Sequence, residues 1–299
     1  MKPTIYSLIA LLWLATACNL EQAVDLDLPA YTSKPVVECY LQPGQPHLLM
    51  ITRSVGYFDN IQLAYEREAT VRIIHAGDTL ILQPFEIRLD DPATGGLLDT
   101  ALLNTLRPIV GDALYLYLSP LPVPADYESQ FALEITLATG ETIRSQTTIP
   151  KPVTIESVEW KFNADSMAYV LTRFQDDGNQ ANYYRRLLQA RVPVTDSVTG
   201  DTLDWATRTE QDFTTDDQIN NGSTFLFGTA YDYRAGDTLI STVYSLTGEY
   251  FRFIETRDAA IVANLSPFGQ PAVVYGNIEG GTGIFTGIST TSKQVVITR

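Results

Sequence analysis

Apolar and polar residues alternate every second position along much of this chain, and that pattern restricts its fold more than any other feature. Phe131, Leu133, Ile135 and Leu137 interleave with Ala132, Glu134 and Thr136. A strand sends successive side chains to opposite faces, so such a segment can bury one face and wet the other; a helix would spread the same residues around its circumference. Leu114, Leu116 and Leu118 alternate likewise with Tyr115 and Tyr117. Val71-Arg72-Ile73-Ile74 leads through Ala76-Gly77-Asp78 into Thr79-Leu80-Ile81-Leu82, the pattern of a hairpin. The tetrapeptide Gly-Asp-Thr-Leu begins at 77, 200 and 236 and reads as turn punctuation, since its flanks do not otherwise match.

A chain of 299 residues exceeds the usual size of one domain, roughly 150 residues. Ile149-Pro150-Lys151-Pro152 breaks the alternation with two prolines that cannot donate ladder hydrogen bonds, which marks a boundary. Beyond it, strands are expected over Met167 to Gln175, Asn182 to Val194, Ser223 to Tyr233, Thr238 to Leu246 and Lys293 to Thr298. One helix is expected, from Gly248 to Asn264. Tyr250, Phe253, Ile254 and Ile261 recur at helical spacing, Thr247 can cap, Glu249 suits the first turn, and Pro267 lies just past the end. The expected fold is all-β, with two sandwich-like domains at residues 35–150 and 151–299. Short alternating strands with regular turns make the first immunoglobulin-like, and the helix belongs to the second.

The N-terminus reads as an address. Lys2 precedes an apolar run from Ile5 to Leu14, and Ala15-Thr16-Ala17 lead directly to Cys18. That order matches a secretion signal over residues 1–17, and the run is shorter than the ~20 apolar residues a membrane span needs. Small residues ending on a cysteine suggest a lipobox, in which Cys18 is lipidated and anchors the protein to a membrane without crossing it. Residues 18–34 then form a tether. Cys39 is the only other cysteine, so no intramolecular disulfide is expected, and its apolar neighbours suit a small buried hydrophobe.

The formal charge of −15 repels phosphate backbones, which argues against nucleic acid as a partner. Two His and two Cys leave little for zinc sites, thiol chemistry or histidine acid–base work. Neither His47 nor His75 belongs to an H-E-x-x-H motif, though a triad using either could still be assembled in space; His75, beside the turn at Gly77-Asp78, reads as a solvated strand-end residue. No G-x-S-x-G elbow or G-K-[ST] phosphate loop occurs. The glycine-rich segment Gly276 to Phe285 could cradle an anion, but it lacks a complete G-x-G-x-x-G fingerprint and reads as a tight turn. The pairs Asp90-Asp91, Asp176-Asp177 and Asp216-Asp217 raise calcium binding; Asp176-Asp177-Gly178-Asn179 is the best loop for it, though turns use the same residues. Trp160 and Trp205 could stack on sugars, with Trp160 better suited to a core. No catalytic, cofactor or metal residues are assigned.

Asp25-Leu26-Asp27-Leu28-Pro29, Val36-Val37-Glu38, Gln42-Pro43-Gly44, Thr52-Arg53-Ser54, Tyr57-Phe58, Thr148-Ile149-Pro150, Pro267-Phe268 and Asn277 to Phe285 together resemble the Bacteroidota lipoproteins grouped as domain of unknown function 4249. Where that family often has Gly-Trp after Val-Val-Glu, this chain has Cys39-Tyr40. The resemblance implies an outer-membrane lipoprotein often encoded beside a TonB-dependent receptor. It implies no activity or binding residues. The expected function is therefore a non-catalytic accessory or binding component of an uptake system, held at the outer membrane by Cys18, with a TonB-dependent receptor as partner. A carbohydrate-binding module and a carboxylate-dependent glycan hydrolase are the alternatives.

Overall fold

Burial follows the alternation residue by residue. In a computed structural model describing residues 31–56, 62–89, 91, 107–195, 199, 202–265 and 272–299, Phe131, Leu133 and Ile135 are buried while Ala132 and Glu134 between them are half-buried. Residues 1–17, expected to be a secretion signal, and Cys18 lie outside the described residues. The strands are β1 (Pro35–Leu41), β2 (Pro46–Arg53), β3 (Ala64–Tyr65), β4 (Thr70–His75), β5 (Asp78–Arg88), β6 (Ala113–Pro122), β7 (Gln130–Thr136), β8 (Thr142–Thr148), β9 (Ile155–Phe162), β10 (Ala168–Gln175), β11 (Tyr183–Thr195), β12 (Thr202–Asp216), β13 (Thr224–Gly228), β14 (Thr238–Leu246) and β15 (Thr282–Val296). One long helix, α1 (Gly248–Asn264), joins β14 to the segment before β15. The protein is all-β. No helix among the described residues is long and apolar enough to cross a membrane.

One sheet runs β12-β11-β14-β15-β1-β2-β6-β5-β4-β7-β8, with β3 added beside β2, and a second runs β13-β10-β9. Strand β5 turns the corner of the first sheet: Asp78–Leu82 pair with β4, and Gln83–Arg88 pair with β6. The sheet thereby folds over itself and encloses a first core that includes Val37, Ile51, Ile73, Phe131 and Ile135. On β6 the alternation buries Tyr117 and leaves its leucine neighbours half-exposed. The Tyr117 hydroxyl accepts from Ala69 N and donates to Glu66 O, both at 2.9 Å, so the polar tip of this core residue is satisfied.

The second core lies between the β12-β11-β14-β15 part of the large sheet and the three-stranded sheet, around Phe174, Tyr184, Leu188, Phe225 and Leu239. Pro150-Lys151-Pro152 separates the strands of the two cores in sequence, with one exception. Strand β15 pairs in parallel with β1 from Thr282 to Gly287, then antiparallel with β14 from Ile288 to Val296. The last strand therefore holds a strand from each half, and Ile278 and Phe285 belong to the first core.

Helix α1 starts and ends where its sequence signals place it. Thr247 Oγ1 accepts from Tyr250 N at 3.2 Å, and Glu249 occupies the first turn. Tyr250, Phe253 and Ile254 pack on Leu246 and Ile284. Ile261, which shares their helical spacing, is 53% exposed, because the face that α1 covers supports only its first two turns.

Candidate functional site

The glycine-rich segment gains its shape from two clamps. Glu279 N donates to Arg144 O at 2.8 Å and Arg144 N returns to Glu279 O at 3.0 Å, while Ser145 Oγ donates to Asn277 O at 2.7 Å; these tie the segment to β8. The Asn277 side chain then brackets β15, accepting from Phe285 N at 2.9 Å and donating to Phe285 O at 2.8 Å. Gly283 has φ +108°, and a Cβ there would lie 2.1 Å from Val37 O. Gly281 has no such φ; its need is space, since a Cβ would meet Pro35 O at 2.8 Å. The backbone donors at 277, 279, 285 and 287 all bond within the protein, so the segment is a built structural joint, with its strand beginning at Thr282 and not at Lys293.

This joint forms one wall of a groove. The facing wall is the first two turns of α1, and Thr256 Oγ1 on the helix accepts from Tyr275 N at 2.9 Å. Two adjoining cavities of about 470 and 520 Å³ share Glu249 and Tyr275. The first adds Asp216, Arg252 and Glu255, and the second adds Glu134, Arg144 and Glu279. Arg252 lies over the Tyr275 ring at 5.0 Å, and Arg144 pairs with Glu134 at 3.9 Å. Five carboxylates and two guanidiniums thus border an open, polar groove. Among the described residues that line it there is no Ser–His or Cys–His pair, and its side chains can form hydrogen bonds and ion pairs. Sequence reasoning saw the glycines and the capping signals of α1, but nothing local links Glu134 and Glu249, which only the packing brings together.

The other candidates find different places. Asp176 Oδ1 accepts from the buried Tyr184 hydroxyl and Oδ2 accepts from Gly222 N at 2.7 Å. Asp177 Oδ1 accepts from Asn179, Asp217 Oδ2 from Asn182, and Asp216 Oδ1 from Gln218 N. These four carboxylates lock two turns together, as Asp does in turns generally. Burial and the Asp176 carboxylate both push the Tyr184 hydroxyl far above its ordinary pKa, which keeps it a donor. Asp90 lies outside the described residues, and among the described residues no three His, Cys, Asp or Glu side chains gather at one point. Trp160 packs beside the second core and donates Nε1–H to Thr298 O at 2.7 Å. Trp205 is 50% exposed on the edge strand β12, with Arg191 over its ring at 5.1 Å. Cys39 is a fully buried free thiol whose pKa burial pushes up. His75, read as a strand-end residue, and His47 line one hollow apart from the groove.

No curated protein matches the chain. The crystal structure of a DUF4785 family protein from Legionella pneumophila aligns with 70% of this chain at 11% identity and a TM-score of 0.24; the match covers 52% of that protein, about half its length. The Danio rerio Fcho1 Mu homology domain with bound Eps15 peptide aligns over 87% of this chain and 92% of its own, at 7% identity and a TM-score of 0.19. Scores this low carry nothing to the site. The family assignment comes from sequence: residues 21–294 match the model of the family described as Domain of unknown function (DUF4249), and the chain belongs to that family.

Proposed function

We propose that the protein is a Bacteroidota outer-membrane lipoprotein, anchored through Cys18, that serves as a non-catalytic binding component of a TonB-dependent uptake system. The observation that carries this reading is the acid-rich groove between α1 and the Tyr275–Glu279 segment, with five carboxylates and no nucleophile–base pair. An acidic groove favours a basic partner surface, and a lipid anchor confines both partners to one membrane, raising their effective concentration so that a weak contact is occupied. Pull-down of the tagged protein in mild detergent recovers a TonB-dependent receptor, more at low salt than at high salt. Glu249→Lys with Glu255→Lys lowers that recovery at least tenfold while leaving the amount of membrane-bound protein unchanged. Cys18→Ala abolishes fatty-acid labelling and membrane retention. Undiminished recovery with the groove variant, or glycan hydrolysis by the purified protein, overturns the reading.

Carbohydrate binding is the second reading, favoured by the exposed Trp205 on β12. Its test is quenching of tryptophan fluorescence by glycans, lost in Trp205→Ala.

A further inference from the structure

Strand β2 begins beside His47, and the β4–β5 hairpin turns directly after His75. The fold brings these residues, the only two histidines of the chain, to one hollow of about 610 Å³ at the end of the first core. The hollow shares no residue with the groove. Its wall is largely apolar, with Ile73, Leu80, Leu121 and Phe131 in it, and small-molecule sites commonly combine such a wall and volume with a few placed polar groups.

The polar side chains in the wall are His47, His75, Asp78 and Thr79. His47, only 4% exposed, donates Nδ1–H to Leu121 O at 2.9 Å, which leaves Nε2 as an acceptor with no partner among the described residues. Burial lowers the pKa of this ring, so at neutral pH it is uncharged and Nε2 keeps its lone pair. Both nitrogens of His75 are engaged, Nδ1 with Gln130 O at 3.1 Å and Nε2 with the Asp126 carboxylate at 3.0 Å. Its ring stacks on Phe131 with centroids 3.8 Å apart. The turn at Ala76-Gly77, with φ +51° and +86°, sets Asp78 directly opposite His75 and adds a carboxylate to the wall. Among the described residues no Lys or Arg lines the hollow.

We propose that this hollow binds a small apolar molecule carrying a hydrogen-bond donor, an alcohol, phenol or amine, and rejects carboxylates. A hydroxyl or amine entering an apolar site needs an acceptor, and His47 Nε2 and Asp78 supply acceptors. A carboxylate would lose its hydration there and meet further acceptors, while both ring nitrogens of His75 are already taken by Gln130 O and the Asp126 carboxylate.

Two histidines make the test direct, because ring-13C histidine labelling of the full-length protein in nanodiscs yields two ring signals. The probes are 4-phenylbutan-1-ol, 4-phenylbutylamine, 4-phenylbutyrate and butylbenzene, each referenced to empty nanodiscs. The alcohol and the amine shift the His47 signal saturably, and the carboxylate binds at least tenfold more weakly. In His47→Phe, followed through His75, alcohol binding weakens at least fivefold relative to butylbenzene. Leu121→Trp, made at a 58% exposed position on the wall, fills the hollow and removes binding of all four probes, while an unchanged far-ultraviolet circular dichroism spectrum and urea midpoint report an intact fold. No saturable shift in the wild type, or a carboxylate that binds as tightly as the alcohol, overturns the proposal.

Discussion

Arg186 is fully buried on β11 between the two sheets of the second core, and among the described residues no carboxylate pairs with it. Its Nη1 donates to Thr172 Oγ1 and Ser241 Oγ, both at 2.7 Å, while Nε and Nη2 have no partner among the described residues. Desolvation drives its pKa down to about 10 from 12.5, which corresponds to a cost of about 3 kcal/mol at neutral pH. Replacing a poorly compensated buried charge by an apolar side chain of similar volume is often stabilising by about 1–4 kcal/mol. Arg186→Met therefore raises the urea midpoint, since Thr172 and Ser241 keep their own 2.9 Å hydrogen bond. His47 supplies a second effect at this scale. Its folded pKa lies below the unfolded 6.5 because burial disfavours the cation. The neutral ring's contribution is complete above pH 6.5 and is lost as pH falls through 6.5 toward the lowered value. Urea midpoints measured between pH 8 and pH 5 fall more steeply for the wild type than for His47→Phe.

At the scale of elements, the β1–β15 pairing depends on Gly283. Its φ of +108° disfavours any side chain, and its closeness to Val37 O forbids one sterically. Gly283→Ala costs about 3 kcal/mol or more, from backbone strain and overpacking together. Thermal unfolding checks this, and the loss exceeds that of Gly236→Ala, where φ is also positive but a Cβ meets nothing within 4 Å. The comparison separates the close approach from the backbone strain that both positions share. Helix α1 shows the opposite case, because its cap, its first-turn acid and its buried aromatics are local signals that agree with one another. Its limits, Gly248 and Asn264, are legible in the sequence for that reason.

At the scale of the molecule, β15 joins the halves. Its first six residues pair with β1 and the following nine with β14, so separating the halves requires breaking a ladder within one strand. Contacts accordingly group Ser33–Arg299 as one compact unit. Limited proteolysis between residues 149 and 153 should yield two fragments that stay together on size exclusion and separate only in denaturant. Fragments that elute apart under native conditions would show that the β1–β15 ladder contributes little to holding the halves.

What the sequence by itself determined is what depends on neighbours in the chain: the all-β class, the β4–β5 hairpin, the strand Thr238–Leu246 and the capped helix. Alternation and capping act over a few residues, so their physics can be read from a short window. The tertiary structure alone decided which strands pair and what lies between them. The parallel partner of β1 comes from about 240 residues later in the chain, at a separation that no local pattern encodes. The alternation on β6 did not reveal that Tyr117 rather than its leucine neighbours would face the core, because that depends on acceptors and donors at residues 66 and 69. The groove and the histidine hollow are legible only in the fold for the same reason. Each is made where distant strands end side by side, and the charge or acceptor pattern that defines it exists only once packing has brought those ends together.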